Sequence, residues 1–285
     1  MARRLLLFLA ALAGVLLLAA EAHATFDPTS PDTASAHVHP RPVVATSPAV
    51  AATSRPAGPS RVPILMYHAI GTPSAKNGYP SLWVDPSEFA AEMAWLHGAG
   101  FTGVTLQQWW DSWHGGAALP ARPVVISFDD GFSDWFTAAL PVLNRYHWPA
   151  DIELIVSHDN SHNVTPEMVS TLVHRYGWEL DSHTETHPHL DGVSARQLRQ
   201  EVAGSRQFYQ RLGYTVNFFC YPFGQYNARV LAAVRAAGYL GATTVVPGVA
   251  SSTDDPYELP RISVPRGLGA SGLEAKFKRF GVVGA

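Results

Sequence analysis

The chain has 285 residues, 47% hydrophobic and 15% charged, with a formal net charge of -3. That length can bury one good core and allows one domain or two. The near-neutral balance argues against a nucleic-acid binder, which needs a basic face to neutralise phosphates. The single cysteine, Cys220, excludes an intrachain disulfide and a cysteine-based zinc site, so any metal would rest on imidazole and carboxylate.

Arg3 and Arg4 precede an apolar run over residues 5–20, followed by Ala22-His23-Ala24. This reads as a secretory signal cleaved after Ala24. An uncleaved anchor is the alternative, because the run is only slightly short of a spanning helix. Either way the remainder is expected to work outside the cytoplasm, secreted or in the periplasm or cell envelope. Residues 25–60 are rich in Pro, Ala, Ser and Thr and read as a linker, with His37 and His39 solvated within it. A single folded domain is expected over residues 61–285.

Residues 62–68, Val-Pro-Ile-Leu-Met-Tyr-His, read as a buried strand ending in His68, at first sight a structural histidine. Asp85-Pro86-Ser87-Glu88 opens a helix with Asp85 as N-cap and Glu88 three residues on, and Phe89, Met93 and Leu96 supply its apolar face. A strand follows near residue 101, then a helix carrying Trp109, Trp110 and Trp113. These tryptophans suit sugar stacking or, for at least two of them, core packing.

The β-branched run Val124-Val125-Ile126 predicts a buried strand leading into Ser127-Phe128-Asp129-Asp130-Gly131. A helix over residues 133–146, a strand at 152–156, a helix at 166–176 and a strand at 178–180 come next. The last runs into Asp181-Ser182-His183-Thr184-Glu185-Thr186-His187. A long helix at 195–212 is expected to bury Leu198, Val202 and Phe208. A strand at 216–221 ends in Pro222-Phe223-Gly224, and a helix at 228–237, strands at 240–246 and 262–264 and a terminal helix complete the chain. This alternation suits right-handed βαβ units, and a distorted (β/α) barrel of about seven strands fits best. There is no glycine-rich dinucleotide fingerprint and no Walker sequence, so no nucleotide partner is expected.

Asp129-Asp130-Gly131 taken alone reads equally well as a turn or as paired carboxylates needing a cation. His183 and His187 are four apart, but Glu185 is out of place for the zinc-protease motif and Pro188 makes a continuing helix unfavourable. The pair is therefore expected on a loop at a strand end. Two imidazoles plus one of the two aspartates would give three ligands and leave open positions for water and substrate. Non-haem iron oxygenases share that set, but belong to β-sandwiches and have no use for the second aspartate. In a hydrolase the spare carboxylate takes the proton of an activated water.

With Ser-Phe-Asp-Asp-Gly, His-Thr-x-x-His and Tyr-Pro-Phe-Gly in that order, the chain resembles the polysaccharide deacetylases of carbohydrate esterase family 4, which share the domain of the rhizobial chitooligosaccharide deacetylases. The resemblance covers residues 62–280. It implies metal-dependent removal of acetyl groups from an acetylated polysaccharide or oligosaccharide. By position, Asp129 resembles the base, Asp130, His183 and His187 the metal ligands, and the Phe223 amide an oxyanion donor.

The ion so implied is divalent, most simply Zn²⁺, with Ni²⁺, Co²⁺ or Fe²⁺ as alternatives, and the enzyme is expected to be a monomer. Three departures matter. Cys220 stands where many members carry the arginine that orients the base, and both the Asp-x-x-Asp-Trp motif and the late Leu-x-His are absent. A subset that includes bacterial poly-N-acetylglucosamine deacetylases begins instead with a strand like Ile64-Leu65-Met66-Tyr67-His68, which implies His68 as the acid. Arg261 is the candidate for the missing orienting charge, with a surface ion pair as its competing role. An O-acetyl esterase and a non-catalytic glycan-binding module remain the alternatives.

Overall fold

The structure, a computed structural model, describes residues 61–73, 79–157 and 162–284. The expected signal, the linker and its histidines lie outside the described residues. Eight strands form the main sheet: β1 (Ile64–Tyr67), β2 (Thr102–Val104), β3 (Pro123–Asp129), β4 (Asp151–Leu154), β5 (Glu179–Ser182), β6 (Phe218–Cys220), β7 (Gly241–Pro247) and β8 (Leu259–Ser263). Neighbours follow the order β3-β4-β5-β6-β7-β8-β1, and β1 pairs back onto β3, so seven parallel strands close a ring. β2 adds a short eighth strand along the first residues of β3.

The expected first strand is interrupted at Pro63, which lacks the ladder N–H, so β1 begins at Ile64. At the other end of the chain β8 starts three residues earlier than expected and takes Arg261 into the sheet. The register matters for function. Tyr67 lies opposite Phe128, and Asp129 opposite Glu153. His68, Asp130 and His183 each directly follow a strand, and therefore gather at the carboxyl rim of the barrel.

Between barrel and helices, Phe128 packs against Tyr67, Trp135 and Trp178 at ring separations of 5.6–5.7 Å, with Phe89 close by. All are buried, and each such side chain contributes roughly 1.5–3 kcal/mol through burial. Helix α1 (Pro86–Gly98) supplies Phe89, and Asp85 caps it by accepting from the Ser87 N–H at 2.9 Å. Glu88 does not complete the cap; its carboxylate accepts from Gly267 instead.

Helix α2 (Leu106–Trp113) carries the three tryptophans to the far end of the barrel. There Trp109 is buried with Ile64, Phe218 and Leu259, and Trp110 and Trp113 pack against the same cluster. Those are first residues of strands, so the tryptophans belong to the core and lie away from the rim. A π turn (Trp135–Ala139) and α3 (Leu140–Asn144) take the place of the single helix expected after β3, and α4 (Pro166–Tyr176) follows β4.

The long helix α5 runs from Ala195–Arg199 through a π turn at Gln200–Gly204 to Ser205–Arg211. A π turn inserts one residue into the helical count. Tyr209 is buried in place of the expected Phe208, because it stands seven residues after Val202 and so shares its face. Helices α6 (Ala228–Ala236) and α7 (Gly269–Arg279) complete the chain.

One core residue was unexpected. Glu92 on α1 is fully buried and accepts from the Tyr67 hydroxyl at 2.8 Å. Burial pushes its carboxyl from 4.5 up to about 7, so the folded state holds the proton more tightly than the unfolded chain. Its stabilising contribution is therefore fully present below pH 4.5 and lost as pH rises through 7. Thermal unfolding across that range should show wild type losing more stability than Glu92→Gln, which keeps an acceptor for Tyr67. Parallel curves would contradict it.

Candidate active site

Asp129 ends β3 and is held by Arg261 through two parallel hydrogen bonds, Nη1 to Oδ1 and Nη2 to Oδ2, each 2.7 Å. The guanidinium is 1% exposed. Its remaining donors reach the Ser127 hydroxyl at 3.0 Å, the Thr244 carbonyl at 2.9 Å and the Cys220 sulfur at 3.3 Å. All five N–H directions of the fork thus find an acceptor, the condition under which a buried arginine is tolerated. Burial alone would raise the Asp129 pKa, but the charge and hydrogen bonds of Arg261 outweigh it and hold the carboxyl below its usual range. Arg261 is a buried partner and not a surface ion pair. Cys220 occupies the space beside it, with its sulfur 3.6 Å from Asp129 Oδ2.

Asp130 follows at φ 81°, which turns its side chain away from that of Asp129. Its Oδ1 lies 3.5 Å from His183 Nε2 and 3.6 Å from His187 Nε2, and the two imidazole nitrogens are 3.0 Å apart. His183 directs Nδ1 at the Cys220 carbonyl at 2.9 Å, which places the proton there and leaves Nε2 as a lone pair. Ligands about 2.0–2.1 Å from a tetrahedral ion are separated by about 3.3 Å, and the three observed separations bracket that value. The donor set of two nitrogens and one oxygen fits a divalent transition metal. Asp129, His183 and Cys220 also offer atoms within 4.8 Å of one another. Both Asp129 oxygens are taken by Arg261, however, and burial pushes the Cys220 thiol up, away from the thiolate a metal needs.

Among the described residues, four of the five non-glycine residues with left-handed φ are Asp130, Thr184, His187 and Phe223. Such conformations cost about 1–3 kcal/mol each and persist where the surroundings enforce them. Here Glu201 does part of that. Its carboxylate accepts from the Glu185 and Thr186 N–H groups at 3.0 and 2.8 Å and from the Thr186 hydroxyl at 2.6 Å, which fixes the loop joining the two histidines. The side chain of Thr184 in turn accepts from the His187 N–H at 2.9 Å.

His68 Nε2 lies 3.9 Å from Asp129 Oδ2, and its carbonyl accepts from Trp135 Nε1 at 2.6 Å. Phe223 turns at φ 56°, with its ring 4.5 Å from that of His187 and stacked on His189 at 4.2 Å. All seven residues singled out in the sequence therefore meet at one rim. Glu201 was not among them. Its sequence signal is its spacing, three residues after the apolar Leu198, which puts a carboxylate on the inward face of α5.

The family described as polysaccharide deacetylase matches residues 116–242. The Bacillus subtilis (strain 168) protein YxkH, named as a polysaccharide deacetylase, is 32% identical over 219 residues, which is 76% of each chain. The chain belongs to the polysaccharide deacetylase family. The poly-β-1,6-N-acetyl-D-glucosamine N-deacetylase of Staphylococcus epidermidis is 29% identical over 70% of this chain and 78% of its own. Among solved structures, the fold is shared with the Streptococcus pyogenes deacetylase PplD in complex with acetate, at TM-score 0.69 and 24% identity over 76% of this chain and 98% of that one. A Bacillus cereus polysaccharide deacetylase superposes at TM-score 0.68 with 26% identity, covering 76% of this chain and 69% of that one.

Proposed function

We propose that this deacetylase removes N-acetyl groups from an extracytoplasmic glycan of the poly-N-acetylglucosamine, chitin or peptidoglycan kind, with a divalent metal held by Asp130, His183 and His187. The observation that carries this reading is the pairing of a converging Asp-His-His set with a separate carboxylate, Asp129, kept ionised by Arg261. A divalent ion held by these three residues, most simply Zn²⁺, would supply Lewis-acid activation of the water and of the acetyl carbonyl. Asp129 accepts the proton of the attacking water. Its two oxygens retain lone pairs beyond those given to Arg261. The oxyanion is held in part by the Phe223 N–H, and a donor of this kind is worth about 2.7–4 kcal/mol in acyl transfer. His68, beside Asp129, protonates the departing amine, and acetate and a free amino sugar leave.

The rim suits a sugar ring. Phe223 is 48% exposed beside His187, and Val245, 42% exposed, packs against Gly224 next to it. Similarity to a poly-β-1,6-N-acetyl-D-glucosamine N-deacetylase supports an N-acetylated substrate. The apolar run at residues 5–20 supports a site of action beyond the cytoplasm.

Acetate release from β-1,4 and β-1,6 N-acetylglucosamine oligomers, peptidoglycan and acetylxylan, with metal content measured alongside, tests the proposal. Release from acetylxylan alone would make the enzyme an O-acetyl esterase. Full metal occupancy with no release from any substrate would leave a binding module. His68→Ala is expected to lower kcat by 10²–10⁴-fold, the range for loss of a general acid. An unchanged kcat would return His68 to a packing role.

A further inference from the structure

Beneath the site just described, the barrel interior holds more carboxyl groups than its one arginine can pair. Alternation along β4 puts Asp151 and Glu153 on one face, and β5 places Glu179 and Asp181 opposite them in register. With Asp129 these make five carboxyl groups around a single guanidinium that is committed to Asp129. Among the described residues, Asp151, Glu179 and Asp181 enter no ion pair.

We propose that Asp151, Glu179 and Asp181 form a second cation site, for a hard divalent ion, at the amino-terminal end of the barrel. One oxygen from each of the three lies within 4.8 Å of the other two. Each carboxylate is pinned by a backbone amide: Asp151 Oδ1 by Leu106 at 3.0 Å, Glu179 Oε2 by Gln107 at 2.8 Å and Asp181 Oδ1 by Phe218 at 3.0 Å. The independent observation is that Asp151 Oδ2 and Asp181 Oδ2 are completely buried and accept no hydrogen bond. Buried polar atoms without partners are rare, and a buried carboxylate oxygen is costlier to leave bare than most. Two of the pinning amides are the first of α2, whose N-terminus donates to Asp151 Oδ1 and Glu179 Oε2 and leaves Asp151 Oδ2 unsatisfied.

An all-oxygen, carboxylate-rich set selects Ca²⁺, Mg²⁺ or Mn²⁺ over the softer ions suited to imidazole. Glu179, at the first position of its strand, is the least buried residue of the three. Asp151 and Glu179 are the first residues of their strands, while His183 follows the last residue of β5, so this ion would sit at the opposite end from the catalytic rim. Its role is structural, joining β4 and β5 to the start of α2.

The test uses the full chain carrying His183→Ala and His187→Ala, which lacks the rim ligands, stripped with chelator and titrated separately with Ca²⁺, Mg²⁺ and Mn²⁺. Elemental analysis should find one ion per chain, and Tm should rise by about 5–10 °C at a hundredfold excess over Kd. Adding Asp151→Asn and Asp181→Asn should abolish both effects while raising Tm in chelator, because the mutual repulsion is gone. If that variant does not fold, Glu179→Gln on the same background serves, with weakened ion binding expected. No bound ion and no Tm shift with any of the three cations would overturn the proposal, as would an unchanged response in the Asn or Gln variants.

Discussion

Arg261→Leu is expected to cost about 3–5 kcal/mol of stability, the usual consequence of removing one partner from a buried ion pair. Asp129 would be left in a site with almost no solvent, and Ser127, Thr244 and Cys220 would lose their donor at the same time. Equilibrium unfolding in urea, followed by far-UV circular dichroism, measures the loss directly. Arg261→Lys keeps the charge but not the planar fork, and should recover only part of it. The double variant Arg261→Leu/Asp129→Asn should be more stable than Arg261→Leu alone, because the stranded charge has gone. If Arg261→Leu unfolds at the wild-type midpoint, the pair contributes nothing and Asp129 is held by something else.

Asp129→Asn is expected to lower deacetylation by about 10²–10⁴-fold, the contribution of a general base. The amide cannot take a proton, yet its carbonyl oxygen still accepts from one arm of Arg261. Metal content should be unchanged, since Asp130, His183 and His187 are untouched. His183→Ala and His187→Ala should lose the ion along with activity. Elemental analysis beside acetate release separates the two classes, and a near wild-type rate for Asp129→Asn would remove it from the role of base.

Much of this was legible in the sequence because the chemistry is local. The run from Val124 to Gly131 announces a strand and its terminal carboxylates, and His183 to Pro188 announces a loop carrying two ligands. Strand and helix alternation was enough for a barrel of about seven strands. What could not be read depends on counting along elements or on distant partners. Glu201 and Tyr209 share the face of Leu198 and Val202 by helical spacing, but that Glu201 meets the Glu185 and Thr186 amides there depends on a loop distant in sequence. That the tryptophans of α2 pack at the far end follows from β2 pairing only with the first residues of β3. The polar alternation Asp151-Ile152-Glu153 and Glu179-Leu180-Asp181 was visible, but reads as a solvent-facing strand unless the barrel is already known to turn that face inward.

The bond between Asp129 and Arg261 joins residues 132 apart in sequence, across strands that the ring brings together only on closing. β8 is the strand that seals the barrel, pairing on one side with β7 and on the other with β1. Asp129, the proposed base, is therefore oriented by the last strand of the ring in chain order, and so long-range a contact is expected late in folding. A chain released before residue 261, or one whose final strand has not docked, would carry every proposed metal ligand and still lack a held base. On the proposed mechanism competence would be acquired at the moment of closure, and a partly folded chain is expected to be inert toward glycans even where ions are plentiful.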